Sequence, residues 1–319
     1  MQFKFLGMNT PYHILAYYLF TPIEDPHLEV AKHHAFLKER DVRCRIYISE
    51  QGINGQMSAS AEASAAYQQW LKSDLRFSPV IFKTHFFETH VFPRCTVKYK
   101  KQLVAIDVPV DISLQGERVS PQRWKEMLEN RDAHTLLIDT RNEYEWVIGH
   151  FEGAELPPLE AFREFPKYAR ELKEKCDPKE TTIMMCCTGG IRCEIYSALM
   201  KQEGFEKVYQ LDGGIINYGL NMGSDKWQGK LFVFDDRLAV PLSQESESVV
   251  ISHCAYCNVP SDVYYNCAHV DCNALFLSCP ACAETFKGCC CEECTRSTRL
   301  RAYVKEERPK PFRRLSTIS

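Results

Sequence analysis

The stretch Met185-Cys186-Cys187-Thr188-Gly189-Gly190-Ile191-Arg192-Cys193-Glu194 follows a short apolar, β-prone run, Thr181 to Met185, and precedes Ile195 to Met200, whose pattern is helical. A cysteine on a glycine-rich turn between strand and helix faces backbone N–H groups that have no partner inside the helix. These groups, the helix dipole and Arg192 favour the thiolate, the reactive form. Gly189 and Gly190 let the backbone curl into a nest for an anion above the sulfur. The stretch therefore predicts a nucleophile at the C-terminal end of a strand in an α/β sheet.

Two cysteines compete for that role. From Cys187, Arg192 closes a Cys-x4-Arg loop of the sulfurtransferase kind; from Cys186, it closes the Cys-x5-Arg loop of dual-specificity and arsenate-type phosphatases. Cys186 continues the apolar strand and is expected to point into the core, and no loop aspartate offers a general acid, so Cys187 is favoured. Cys193 is either a resolving thiol for an oxidised or persulfidated Cys187 or a helix residue facing the core.

Around this loop, Ser113 to Val240 alternates strands with helices, which implies a parallel sheet. Expected elements are a helix at Trp124–Leu128, strands at Leu136–Asp139 and Val208–Leu211, and helices from about Pro166 to Lys175 and from Cys193. Asp139 and Arg141 are expected to form an ion pair bracing the loop. His150, between Gly149 and Gly153, is either an acid or base near neutral pH or an imidazole serving backbone groups in a turn.

The N-terminal section reads as a β-α-β-β-α-β unit, the ferredoxin-like order: a strand at Ile14–Phe20, a helix capped by Asp25-Pro26 and running to about Arg40, strands at Arg43–Ile48 and Gly55–Ser58, a helix carrying Tyr67, Trp70 and Leu71, and a strand at Val80–His85. The apolar patch Ile14 to Phe20 is too short to span a membrane and no small-residue cleavage site follows it. Phe92 to Lys101 alternates bases with apolar residues. Lys98, Lys100 and Lys101 present either a cationic strip to RNA or the solvated face of an amphipathic strand.

The chain has 319 residues, a net charge of −3 and 16 cysteines. Many of those cysteines fall in the closely spaced pairs that hold metal, which places the protein in a reducing cytoplasm and excludes a small disulfide-framed secreted fold. Cys254-x2-Cys257 and Cys279-x2-Cys282 have the spacing of a four-thiolate zinc site. Cys267-x4-Cys272 and Cys290-x3-Cys294, with Cys289 and Cys291 as substitutes, suggest a second, interleaved site for zinc or an iron–sulfur cluster. The tail beyond Cys294, with Arg299, Arg301, Arg313 and Arg314, is either a phosphate-binding segment or a solubilising one.

Asp139-x-Arg141, Gly149-His150-x-x-Gly153-Ala154, Cys187-x-x-Gly190-x-Arg192 and Leu211-x-Gly213-Gly214 resemble, in order and spacing, a rhodanese domain. Together with Glu50-x-Gly52-Ile53-Asn54-Gly55, Phe232-Val233-Phe234-Asp235-x-Arg237 and the cysteine-rich end, they make the chain similar to the tRNA uridine hydroxylase family, TrhO, over nearly its whole length. The resemblance implies oxygen-dependent formation of 5-hydroxyuridine at the wobble position in the tRNA anticodon loop, with Cys187 essential. Its rivals are a plain sulfurtransferase forming a persulfide on Cys187 and a non-enzymatic zinc-containing RNA- or protein-binding adaptor. Molecular oxygen is the implied co-substrate, and no flavin or haem motif is visible; how oxygen is activated and the oligomeric state are not legible in the sequence. The fold class expected is multidomain, α+β followed by α/β, with ferredoxin-like (1–112), rhodanese (113–245) and zinc-binding (246–295) parts and a basic tail (296–319).

Overall fold

A computed structural model describes residues 12–243 and 247–305. Close Cα neighbours divide the chain into two units, Met1–Ile106 and Asp107–Ser319. Among the described residues no helix is long and apolar enough to cross a membrane.

In the first unit β1 (Tyr12–Phe20), α1 (Pro26–Leu37), β2 (Val42–Ser49), β3 (Gly52–Ser60), α2 (Ala61–Ser73) and β4 (Lys83–Phe87) follow in the ferredoxin-like order, and β5 (Cys95–Tyr99) is added. The sheet order is β4-β1-β3-β2-β5, antiparallel except that β5 runs parallel to β2, with Cys44 opposite Cys95. Period-2 alternation sends Leu15, Tyr17, Ile46, Ile53 and Met57 to one core, where they meet Leu37 of α1 and Tyr67 and Leu71 of α2. The hydroxyls of Tyr17 and Tyr67 hydrogen-bond to each other inside it.

Boundaries differ from the sequence reading where a backbone or packing constraint intervenes. Helix α1 stops at Leu37, three residues short of expectation, because Glu39 takes a left-handed φ of 66° and turns the chain toward β2. The link between β2 and β3 shrinks to Glu50-Gln51, since Gly52 already pairs with Phe20; its φ of 141° suits glycine alone, and a Cβ there would lie 2.0 Å from the Leu19 carbonyl oxygen. Strand β4 begins at Lys83 because Phe77 and Val80 are buried as turn residues under the sheet.

The second unit contains β6 (Glu117–Val119), α3 (Pro121–Glu129), β7 (Thr135–Asp139), α4 (Glu143–Trp146), β8 (Gly149–Phe151), α5 (Phe165–Lys175), β9 (Thr182–Cys186), α6 (Ile191–Gln202), β10 (Lys207–Leu211), α7 (Gly214–Met222), β11 (Trp227–Phe232) and β12 (Ala239–Pro241). Strands β6-β10-β9-β7 form a parallel sheet, and β12-β11-β8 a small antiparallel one. The strands β6, β8 and β12, of three residues each, were not anticipated, being too brief to carry a periodic signal, and neither was β11, whose six residues are interrupted by Gly229 at a φ of 77°. In β9 the residues Ile183 to Cys186 are all buried, as expected of a strand covered on both faces.

The cysteine-rich end follows with β13 (Tyr264–Asn266), β14 (Leu275–Leu277), α8 (Pro280–Thr285) and α9 (Glu292–Thr295). One face packs on the α/β sheet's neighbours: Tyr264, Leu275 and Leu277 join Ile148, Phe232 and Leu238. Lys230 and Asp262 form an ion pair of 2.6 Å across the same seam. The module's own core is mainly sulfur, with Cys267, Cys289 and Cys294 around Ala268, Phe276 and Leu300.

The N-cap of α2 and the tight link at Gly52 are constraints of different kinds, and so should be their removal. Ser60→Ala loses the N-cap bond that Ser60 Oγ accepts from the Ala63 N–H and is expected to cost about 1 kcal/mol. Gly52→Ala is expected to cost at least ~2 kcal/mol, because it adds a contact to an unfavourable φ. Urea unfolding of the two variants should show the glycine change as clearly the larger loss.

Candidate active site and candidate metal centre

The sheet register puts the C-terminal ends of β7 and β9 side by side, Asp139 opposite Cys186, and the Thr140 N–H donates to the Cys186 carbonyl at 2.9 Å. Beyond that point the backbone leaves β9 through Cys187 to Gly190, and Gly190, with φ of 103°, caps α6. The loop's carbonyls are held from behind by the N-terminus of α7: Ile215 N–H donates to Cys187 O at 2.9 Å and Ile216 N–H to Thr188 O at 3.0 Å. This close approach requires Gly214, where a Cβ would sit 2.6 Å from both Cys187 O and Gly190 N. With the carbonyls drawn away, the N–H groups turn to the sulfur, and Gly190 N–H donates to Cys187 Sγ at 3.1 Å.

Electrostatics separate the three sulfurs. Burial pushes the Cys187 thiol up, but the Cys193 thiol, the Arg192 charge and the N–H groups of Cys193 and Gly190 more than offset it and bring Cys187 down to about 5. Cys193, in the first turn of α6, is held well above its ordinary value by burial and by the Cys187 thiolate to which it donates; its sulfur also lies 3.6 Å from Thr140 Oγ1. Cys186 is raised by burial and by Asp139, and its sulfur is directed toward the Ile138 carbonyl inside the sheet. The geometry thus offers one thiolate, Cys187, one neighbouring thiol, Cys193, and one inert core residue.

Arg192 does not lie free over the loop. Its fork is closed on Glu145, Nη1 to Oε1 at 2.5 Å and Nη2 to Oε2 at 2.7 Å, and Nη2 also reaches Thr188 Oγ1 at 3.2 Å. Glu145 is fully buried and accepts two further bonds, from Thr188 Oγ1 at 3.1 Å and from the Asn142 N–H at 3.1 Å. Burial raises its carboxyl, but the Arg192 charge prevails and holds it below the usual carboxylate range. Arg192 therefore favours the thiolate by its charge acting through space, because its hydrogen bonds are spent on Glu145 and Thr188. Glu145 was missed in the sequence, although the spacing Asn142-x-x-Glu145 is a capping-box signal at the start of α4.

The second ion pair stands where the spacing put it. Asp139 and Arg141 are both fully buried and joined by a fork of bonds, among them Nε to Oδ1 at 2.9 Å and Nη2 to Oδ2 at 2.6 Å, with the Arg141 N–H also donating to Oδ1 at 3.1 Å. Arg141 also donates to the carbonyls of Glu145 and Gly149, so it ties α4 and β8 to β7. His150 Nδ1 bonds the Trp146 carbonyl at 2.9 Å, in keeping with an imidazole that serves the turn. Gly189 is partly exposed, as are Ile191 and Arg192, and a Cβ on Gly189 would meet nothing within 4 Å.

The cysteine-rich module gathers its thiols as two sets, Cys254, Cys257, Cys279 and Cys282, and Cys267, Cys272, Cys290 and Cys294, with the sulfurs of each set within 4.8 Å of one another. The pairing is interleaved, first with third and second with fourth. A tetrahedral ion with metal–sulfur bonds of about 2.3 Å requires sulfurs about 3.8 Å apart. The distances Cys257–Cys279 3.7 Å, Cys272–Cys290 3.6 Å and Cys290–Cys294 3.8 Å meet that requirement. Backbone N–H groups point at the sulfurs of Cys254, Cys267 and Cys279, as suits thiolates. The residues fit four-thiolate metal sites with no open position; Cys289 and Cys291 fall outside both sets.

Lys98, Lys100 and Lys101 are exposed at the edge of the first unit, and Lys100 lies 5.3 Å from the Tyr47 ring centre. The start of the tail folds back on the metal module: Arg299 pairs with Asp271 at 2.5 Å and Arg301 donates to the Cys267 carbonyl at 2.9 Å. Arg313 and Arg314 lie outside the described residues.

An inner strand, a Cys-x4-Arg loop and a helix at the C-terminal end of a parallel sheet, with backbone N–H groups directed at the cysteine sulfur, define a rhodanese-like domain. Family models agree: residues 120–220 match the rhodanese-like domain, 12–103 the UPF0176 acylphosphatase-like domain and 228–295 the rhodanese C-terminal model. A tRNA uridine(34) hydroxylase of Protochlamydia amoebophila is 54% identical over 309 residues, covering 97% of this chain and 96% of its own. Those of Chlamydia pneumoniae and Chlamydia trachomatis serovar D are 53% and 54% identical, each over 96% of this chain and 94% of their own. The chain belongs to the tRNA uridine(34) hydroxylase family.

Two outcomes are expected at these sites. Because Cys187 titrates near 5 in the folded protein, against about 8.5 when free, its thiolate contributes stability that is complete above the free value and lost as pH falls through 5. The thiolate ultraviolet absorbance of the wild type minus that of Cys187→Ser should lose half its amplitude near pH 5. For the metal sites, the protein is expected to release two ions per chain under strong chelation and mercurial titration, and Cys279→Ser one fewer, measured by elemental analysis.

Proposed function

We propose that this chain hydroxylates the wobble uridine of tRNA to 5-hydroxyuridine in the cytoplasm, with molecular oxygen as co-substrate and Cys187 as covalent catalyst. The observation that carries the mechanism is the buried Cys187 sulfur with the Gly190 N–H at 3.1 Å and buried Cys193 in the first turn of the following helix, an arrangement that lowers Cys187 and raises Cys193. Cys187 Sγ adds to C6 of the uracil ring, C5 becomes carbanion-like, and the loop N–H groups take the charge that develops at O4. Arg192 keeps the loop closed through Glu145 and lowers the thiol. The base must be splayed out of the anticodon loop to reach the sulfur.

The electron balance gives Cys193 a part. Placing one oxygen atom on C5 and releasing the other as water takes two electrons more than the C–H bond supplies. Two thiols supply them: uridine C5–H, one oxygen molecule and the two thiols of Cys187 and Cys193 give C5–OH, one water and a Cys187–Cys193 disulfide, and the sulfur–C6 bond breaks as the C5–C6 double bond returns. An external dithiol then resets the pair.

The remaining residues take supporting parts. Asp139 and Arg141 brace the loop's neighbours. Zinc in the two thiolate sets supplies folding energy, since each set is closed. Lys98, Lys100 and Lys101 contact phosphate, as does Arg299 once released from Asp271; Arg301, committed to a backbone carbonyl, acts as a buttress.

Purified protein, tRNA and oxygen should yield 5-hydroxyuridine by nucleoside mass spectrometry, and Cys187→Ser should lower the rate at least ~10³-fold. Without added thiol, pre-reduced enzyme should stop at about one product per chain with the disulfide formed. A thiosulfate-dependent persulfide on Cys187 with no product and no oxygen dependence would instead identify a sulfurtransferase.

A further inference from the structure

A second pair of thiols lies in the first unit, remote in sequence from both the Cys187 loop and the metal sets. Cys44 and Cys95 are partners across the parallel ladder of β2 and β5, and their sulfurs are 3.3 Å apart. That is closer than two sulfurs sit without interacting, and adjacent strands bring Cα atoms within the span a disulfide bridges, about 4.4–6.8 Å. The pair is free in this structure. We infer that Cys44 and Cys95 form a reversible disulfide site, opened by dithiols and closed by a hydroperoxide, that staples the edge strand β5 to the sheet.

The two members differ as attacking and resolving thiols must. Cys95 is exposed, on an edge strand with no further strand beyond it among the described residues, whereas Cys44 is buried in the core beside Ile46. The Cys44 sulfur is hydrogen-bonded to the Cys95 sulfur and also lies 3.8 Å from the Thr96 carbonyl. The contact with Cys44 lowers Cys95 toward its thiolate, while the same contact and burial raise Cys44. In the first step the Cys95 thiol and the hydroperoxide give a sulfenic acid and water (or the alcohol). In the second, the Cys44 sulfur displaces the hydroxyl as water and the S–S bond forms, so two thiols lose two electrons and two protons to one peroxide. The neighbouring sulfur arrests oxidation at this reversible stage.

The structural consequence is local. Among the described residues β5 is held to the protein's sheet on one side, through β2, and it carries Lys98 and leads into Lys100 and Lys101. The cross-link fixes the strand that presents those bases.

The test uses the full-length protein, reduced and then freed of reductant. It is treated with one equivalent of hydrogen peroxide, its remaining thiols are alkylated, and it is digested with chymotrypsin. The expected result is a cross-linked pair joining the peptide that ends at Tyr47 to the one that ends at Tyr99, two hydrogens lighter than their sum, lost on dithiothreitol treatment and absent from Cys95→Ser. Cys95 is exposed, so its replacement by serine should leave a folded protein, verified by an unchanged circular dichroism spectrum. Recovery of Cys44 fully alkylated while Cys95 carries sulfinic acid, or of Cys95 unmodified when Cys187 is already oxidised, would overturn the inference.

Discussion

The Arg192–Glu145 ion pair is the contact on which the catalytic loop depends. A charge pair with one member fully buried, Glu145, and the other partly buried, Arg192, is costly to desolvate and holds only where hydrogen bonds satisfy what the partners leave over. Here Glu145 accepts four such bonds, two from Arg192, one from Thr188 and one from the Asn142 backbone. The pair therefore joins the start of α4, the loop after β9 and the first turn of α6 at one point. Its geometry also sets the polarity of the loop, because Arg192 cannot turn toward a substrate without abandoning a buried carboxylate.

That arrangement clarifies the division of labour around Cys187. The thiolate is made by near neighbours: backbone N–H groups from the loop and helix, a donating thiol and an adjacent positive charge. The carbonyls that would repel it are occupied by Ile215 and Ile216, which is possible only because Gly214 lets α7 approach to contact distance. Catalytic power in such a site comes from donors aimed in advance, with little left to reorganise when charge develops. The cysteine-rich module, packed against β11 and β8 through Phe232 and Ile148, supports the same region from outside with sulfur-rich sites where a hydrophobic core is lacking.

Much of the loop was legible because its physics is local. A run of apolar β-formers, two glycines, an arginine at x4 and a helical pattern specify strand, nest and helix within a dozen residues or so. The thiol pairs of the metal module were legible for the same reason, since ligand spacing along the chain reflects the small radius of one ion. Asp139 and Arg141, two residues apart at a strand end, could pair only with each other or with something the chain did not name. By contrast the three-residue β8 is too short to show a period, β11 is interrupted by Gly229, and Glu145 sits at a capping-box position that does not announce a buried ion pair.

Read alone, the chain settled the longer strands and helices to within a few residues, that Cys187 follows a strand and precedes a helix, and which cysteines share a spacing. Those are consequences of backbone propensity and short-range geometry. Folding decided the rest: that Cys186 turns into the core while Cys187 faces N–H groups, that Arg192 is claimed by a carboxylate far from it in sequence, and that Cys44 and Cys95 meet across two strands. Each of these depends on which side chain arrives within about 4 Å of another, and at that range burial and charge decide protonation, which no linear spacing encodes.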